Sequence, residues 1–400
     1  MLSWLLDRYA ERDLVTGAQG PFPAAFAVGS PVTPEHVMRR SAGVDMALMH
    51  GMSVEWTGSG VKAVNLRTGK EYWRYERRDL GGTMWSFAVS ARTVVAGFDD
   101  GKLVGIDLRT GKPLWHERIL HNDGFRSVSL TGGQAVTEAP GAVRAFDERD
   151  GRSLWTVKTP GTCPDVLVYN VYSLPDRVSA VPVMCNVSSV VGDDYNLLLG
   201  VDNRTGELLW QRRTPDPSEV VRGDDHTLVA PAPDPDDQPY VRLLDMNREG
   251  VTSHAGLATD WWNPVGAGDG TVLVGIDAEG GTEDRVTVLH AFDTTDGRLT
   301  WRLRAPSGRE FGSGEIADGR FYVVRQPLLT EADAGHRIHA DLLVLDADTG
   351  RLLHTLRLPA MTVPDESDDY FAKLDVGDVA DGAIGISWRD DRGDLLIVTD

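Results

Sequence analysis

Down this chain one pattern recurs: a short apolar run, an Asp, a Gly four residues after it and a Trp eight residues after it. It reads AVNLRTGKEYW at 63–73, GIDLRTGKPLW at 105–115, AFDERDGRSLW at 145–155, GVDNRTGELLW at 200–210, AFDTTDGRLTW at 291–301 and VLDADTGRLLH at 344–354. The first copy carries Asn65 in place of the Asp, and the last carries His354 in place of the Trp. A seventh, blurred copy, LLDMNREGVTSH at 243–254, holds one extra residue, which moves Gly250 to the fifth place after Asp245 and His254 to the ninth. Self-similarity at roughly 40–55 residues marks a repeat architecture, whose units bury their apolar faces against their neighbours. A residue that returns once per unit therefore reads first as scaffold.

Each copy has the chemistry of a β-hairpin. The apolar stretch before the Asp, such as LVGI at 103–106 or LLVL at 342–345, suits a strand. Asp-x-x-Thr-Gly is turn chemistry, because the Asp side chain accepts from nearby backbone amides and Gly takes the positive-φ position. After the Gly, LLWQRR and PLWHER alternate apolar with polar residues, as a half-exposed strand does. Upstream lies another strand with a Gly-containing turn, as in TVVAGFDDG at 93–101 and TVLVGIDAEG at 271–280. One more strand before it makes four per unit, the composition of a propeller blade. Helical periodicity is nearly absent, so the predicted class is all-β.

The alternation apolar–Ala/Gly–apolar–Asp, then Thr-Gly, then Trp, resembles the repeat of the PQQ-like β-propellers. The resemblance covers about 41–400. Quinoprotein alcohol dehydrogenases share that repeat with non-enzymatic propellers of the BamB type. The Trp-Asp dipeptide and Gly-His element of the WD repeat are missing. The resemblance implies that the Trp docks against the neighbouring repeat, a role it gives to Trp73, Trp115, Trp155, Trp210 and Trp301.

The anchors Asn65, Asp107, Asp147, Asp202, Asp245, Asp293 and Asp346 define seven blades, and three further strands follow in KLDVGDVADG, AIGISW and DLLIVTD. The expectation is an eight-bladed β-propeller of four-stranded antiparallel blades over 21–400. Its last blade, formed by 371–400, is completed by an N-terminal strand near 22–32 (FPAAFAVGSPV). Closure of this kind removes exposed sheet edges. Seven blades with a loose C-terminal hairpin is the alternative. A ring of blades also accommodates 400 residues without a domain linker, since each blade packs only on its neighbours.

Residues 1–20 stand apart. MLSWLLDRYAERD places Leu2, Leu5, Leu6 and Tyr9 on one helical face, so a helical, juxtamembrane-like segment is expected there. Asp7 and Arg8 interrupt its apolar run, which fails as a secretion signal. No stretch approaches the ~20 apolar residues of a membrane span. The protein is then either cytoplasmic or follows an anchor upstream of Met1. Cys163 and Cys185 flank a segment centred on the turn-like Ser173-Leu174-Pro175-Asp176. Equal arms about that turn would set them opposite each other on adjacent strands, within reach of a disulfide. A bridge points to an oxidising compartment, the cell envelope; two buried free thiols are the alternative.

With 60 acidic against 40 basic residues, a net charge of −20 excludes nucleic acid as partner and suits a basic one. Gly97 to Lys102 (GFDDGK) lacks the spacing and the Ser/Thr of a phosphate loop, and GAGDG at 266–270 precedes no helix. His121-Asn122-Asp123 and Asp224-Asp225-His226 read as solvated loops, and no metal site is expected. The resemblance to quinoprotein dehydrogenases implies an adjacent-cysteine disulfide and a Glu/Asn/Asp calcium set. Neither is present in this sequence, so neither PQQ nor calcium is expected. The function expected is a non-catalytic binding or scaffolding module with a protein partner, acting as a monomer through propeller loops. Candidate loops are 230–239, 331–341 and 361–370, and the candidate surface aromatics are Trp85, Trp261, Trp262 and Trp388. An extracytoplasmic sensor of a membrane-anchored signalling protein is the second reading, and a PQQ-dependent dehydrogenase the third.

Overall fold

The computed structural model describes residues 13–27, 29–30, 33–41, 46–77, 83–119, 127–160, 163, 166–185, 196–214, 216–231, 241–257, 263–277, 285–364, 372–389 and 394–400. They form an all-β structure of eight larger antiparallel sheets, the blades of an eight-bladed β-propeller, and one two-stranded sheet, Arg337–Ile338 with Met361–Thr362. Blade two is representative, running Met84–Val89, Thr93–Phe98, Lys102–Asp107, Pro113–Arg118 with each strand paired to the next. In blade four the first strand is interrupted into Val166–Val168 and Tyr172–Leu174, both paired with Val178–Cys185. The chain falls into two compact units. The first holds blades one to four with the turn Asn247–Gly250, and the second holds blades five to eight.

Burial follows position within the blade. Thr93–Phe98, a second strand, is buried at every residue because both its faces are covered. Pro113–Arg118, a fourth strand, alternates and buries Trp115. The apolar cores lie between consecutive blades. In the first unit they join blades one and two, two and three, and three and four. In the second they join five and six, six and seven, and seven and eight.

The repeat turn is built as its residues dictate. The Asp107 carboxylate accepts from the Thr110 amide at 2.8 Å and its hydroxyl at 2.7 Å, while Gly111 donates to the Asp107 carbonyl at φ 69°. Asp202, Asp346 and the amide oxygen of Asn65 accept from the following backbone in the same manner. In the blurred copy Asn247 takes this role rather than Asp245, accepting from the Glu249 and Gly250 amides. The extra residue is absorbed by moving the anchor two places along.

The last blade is Leu374–Ala380, Ala383–Trp388, Asp394–Thr399, completed by an N-terminal strand, His36–Ser41, in register Val37↔Val398 and Arg39↔Leu396. The donor is thus 36–41 and not 22–32. The earlier stretch contains Pro23 and Pro31, which have no amide to give a ladder. Its Phe22 ring is held against Tyr72 and beneath the Arg109 guanidinium. Its Phe26 and Ala27 amides both donate to the Asp381 carbonyl.

Within 1–20, residues 1–12, including Leu2, Leu5, Leu6 and Tyr9, lie outside the described residues. Asp13–Thr16 is a strand, not a helix, and pairs with Glu71–Arg77 as a fifth strand of blade one. Leu-Val-Thr favours extended chain, and the Tyr75 hydroxyl fixes the start by donating to Asp13 at 2.8 Å.

Two glycines with the same φ of 67° separate conformation from packing: a Cβ on Gly350 would lie 2.5 Å from the Trp301 ring, whereas one on Gly319 meets nothing within 4 Å. In urea titrations Gly319→Ala should cost about 1 kcal/mol for the backbone alone. Gly350→Ala should cost about 1–3 kcal/mol more, because the ring has no room to withdraw. Equal losses would refute the packing assignment.

Candidate interaction surface

The repeat tryptophans connect one blade to the next turn. The indole N–H of Trp73 donates to the Leu108 carbonyl at 2.7 Å, Trp115 to Glu148 at 3.0 Å, Trp155 to Asn203 at 3.1 Å, Trp210 to Asn247 at 2.8 Å and Trp301 to Ala347 at 2.7 Å. Four of these acceptors directly follow a repeat anchor; in the blurred copy the acceptor is the anchor Asn247 itself. His254 stands in for the Trp of that copy, with Nε2 at 3.1 Å from the Thr294 carbonyl, the residue after Asp293. In the tautomer protonated at Nε2 it makes the same bond. These side chains are engaged in the scaffold and offer no binding face.

Of the four aromatics proposed for a surface, the structure separates two. Trp85 is 58% exposed, the one described tryptophan that stands in solvent. The first strand of blade two has a bulge between Met84, paired with Phe98, and Ser86, paired with Gly97. Bulges re-aim side chains, and here the residue turned outward is an indole. Its neighbours Met84 and Ser86 are fixed, Met84 buried and accepting from Trp56 Nε1, Ser86 accepting from the Val128 amide. Trp388 is no surface residue. It is 2% exposed and packs in the core between blades seven and eight, because the alternation of AIGISW sets it on the face of Ile384 and Ile386. Trp261 and Trp262 lie outside the described residues, as do 232–239 and 365–370 of the proposed loops. The loop 331–341 is described and carries a short helical turn, Glu331–Asp333, and the strand Arg337–Ile338.

Cys163 and Cys185 are bonded, with α-carbons 4.8 Å apart, and both are buried in the core shared by blades three and four. The expected strand-to-strand opposition is not the geometry used. Cys185 faces Val166, and Cys163 lies before that strand begins. The arms are unequal because Tyr172–Leu174 and Val166–Val168 are separate strands on one partner.

No three His, Cys, Asp or Glu side chains converge on a metal position among the described residues. In the Asp224-Asp225-His226 turn, burial resists ionisation of Asp224. Hydrogen bonds from the His226 amide, the Thr294 hydroxyl and the Thr227 amide outweigh it and hold the carboxyl below its usual range. That carboxylate is committed to its own turn and to Thr294 of blade six. His121 and Asp123 lie outside the described residues. Both cysteines of the chain are used in one bridge spanning 22 residues.

One cluster was missed from sequence. At one end of blade seven, Arg357 and Arg325 donate to the Asp341 carboxylate at 2.8 and 3.0 Å, and Arg309 lies 3.7 Å from it. Burial opposes the charge of Asp341, but the two guanidinium bonds prevail and lower its pKa. The signal is a spacing of 16 from 325 to 341 and again to 357, which means nothing until strand register is known.

A family profile described as outer membrane protein assembly factor BamB matches residues 57–235 and 139–369. The chain belongs to that family. Its curated relatives include the BamB assembly factors of Burkholderia pseudomallei (strain K96243), 27% identical over 38% of this chain and 39% of that one, and of Yersinia pestis, 22% identical over 51% and 53%. A quinohemoprotein alcohol dehydrogenase, ADH IIB of Pseudomonas putida, is 28% identical over 27% of this chain and 19% of its own. The matches thus span from about a fifth to about half the length of these curated relatives. Among solved structures, BamB from Moraxella catarrhalis superposes with a TM-score of 0.53 at 14% identity, covering 92% of this chain and 99% of that one. The dihydro-heme d1 dehydrogenase NirN gives 0.54 at 14%, covering 96% and 75%. Both likenesses concern the fold.

Reducing the Cys163–Cys185 bridge should lower unfolding stability by about 3 kcal/mol, the loop-closure value for a separation of 22; an unchanged denaturation midpoint would contradict it. Trp388→Ala should cost about 3–5 kcal/mol as a core truncation, and Trp85→Ala no more than about 0.5 kcal/mol. A large loss at Trp85 would make that indole part of the fold.

Proposed function

We propose that this chain is a non-catalytic binding or scaffolding module of the cell envelope, acting as a monomer that holds a protein partner at Trp85. The observation that carries the reading is the exposed indole on a bulged strand flanked by fixed neighbours. A preorganised aromatic needs little ordering to bind, and such anchors dominate interface energies at about 2 kcal/mol or more each. Relatives named as outer membrane protein assembly factors supply the envelope setting and the expectation of protein partners. The buried disulfide suits an oxidising compartment. Among the described residues no helix is long and apolar enough to cross a membrane. A net charge of −20 favours a partner with a basic face. The reading includes neither PQQ nor calcium, in keeping with a sequence that holds no adjacent-cysteine pair.

A photo-crosslinking amino acid at position 85, with another at exposed Leu208 as control, tests this in cells. The expected result is a discrete adduct from position 85 alone, recovered in the envelope fraction. Recovery in the cytosol without an adduct, or stoichiometric uptake of PQQ with calcium by the purified chain, would overturn it.

A further inference from the structure

Arg325, Asp341 and Arg357 stand side by side on three consecutive strands of blade seven, in register Arg325↔Asp341 and Asp341↔Arg357. Arg309, from the first strand of the same blade, approaches the same carboxylate. Close by, Arg337 and Arg39 both donate to the Ala360 carbonyl, at 3.1 and 2.5 Å. The Leu358 amide bonds to the Ala340 carbonyl, which brings that stretch beside Asp341.

The charge balance here is the reverse of the chain's. Acidic residues outnumber basic ones 60 to 40 overall. At this end of blade seven three guanidiniums share one carboxylate among the described residues. Their donors are also under-used. Arg309 Nη1 and Arg325 Nε are buried with no hydrogen-bond acceptor among the described residues. Arg357, 53% exposed, leaves the cluster open to solvent. Like charges gathered about one acceptor are relieved by a further anion, and arginine forks match the oxygens of phosphate or carboxylate. Asp341 already supplies one negative charge, so a dianion is what balances the remaining two.

We propose that this end of blade seven binds a multivalent oxyanion of the phosphate class, on Arg309, Arg325 and Arg357. The ligand is a free phosphate or the phosphomonoester of a lipid headgroup. Asp341 preorganises the three forks and competes with the ligand for them. The cluster belongs to the second unit and Trp85 to the first, so failure of either reading leaves the other standing.

The test is calorimetric titration of the whole chain with inorganic pyrophosphate at low salt. One-site binding in the millimolar range or tighter is expected. Arg325→Gln and the half-exposed Arg357→Gln should each weaken it by at least about tenfold. Asp341→Asn should tighten it by a similar factor, because a competitor is removed; a purely structural ion-pair network has no reason to do so. Thermal unfolding checks that each variant is folded, and Arg357→Gln carries the test if Asp341→Asn is not. Flotation on phosphatidic acid but not phosphatidylcholine vesicles, reversed by pyrophosphate, assigns the lipid source. Pyrophosphate binding without flotation assigns the free anion. No binding by the wild type, or binding unchanged in both arginine variants, would overturn the proposal.

Discussion

One contact recurs through the structure: an indole N–H given to the backbone carbonyl beside the next repeat's anchor, with a glycine of that repeat lying on the ring. A Cβ on Gly111 would stand 2.8 Å from Trp73, one on Gly151 2.7 Å from Trp115, and one on Gly206 2.4 Å from Trp155. The turn glycine therefore answers two demands, a positive φ and a surface flat enough for the neighbour's ring. Within each blade the ring needs a small residue opposite it. Gly105 faces Trp115 and Gly200 faces Trp210, while Ala63, Ala145 and Ala291 face Trp73, Trp155 and Trp301. Where Val344 takes that place, its partner is His354 and no indole is present. Asp, Gly, small residue and Trp are one unit of packing, which is why they recur together.

That coupling also explains how much was legible. A turn whose chemistry is local, and whose Gly and Trp keep a fixed spacing, reads out from the primary structure alone. The blurred copy did not, because Asp245 sits in the expected column while Asn247, two residues on, makes the turn and receives Trp210. The closing strand was misplaced for a related reason. FPAAFAVGSPV has the apolar content of a strand, whereas His36–Ser41, with two arginines, supplies the amides that a ladder requires. Edge pairing selects for available hydrogen bonds more than for hydrophobicity.

The candidate sites use residues outside the repeated column, and that is why they are hard to read. Trp85 sits in a first-strand bulge and faces solvent, whereas Val265, in a bulge at the matching strand of blade six, is buried. Nothing in the two segments distinguishes them before pairing is known. The arginines about Asp341 are distant in sequence and meet through register. Trp388 is the opposite case: it stands outside the repeat column, yet the alternation of its own strand places it inside with Ile384 and Ile386. A repeat scaffold is legible through what it repeats.

Hydrogen exchange at the tryptophan indoles, followed by ¹⁵N NMR, tests the scaffold most directly. The side-chain N–H groups of Trp73, Trp115, Trp155 and Trp301, each given to a backbone carbonyl, should exchange only through opening of the blades, while that of Trp85 exchanges at once. If those indoles exchanged as fast as Trp85, the blades would be held together by something other than the contact described here.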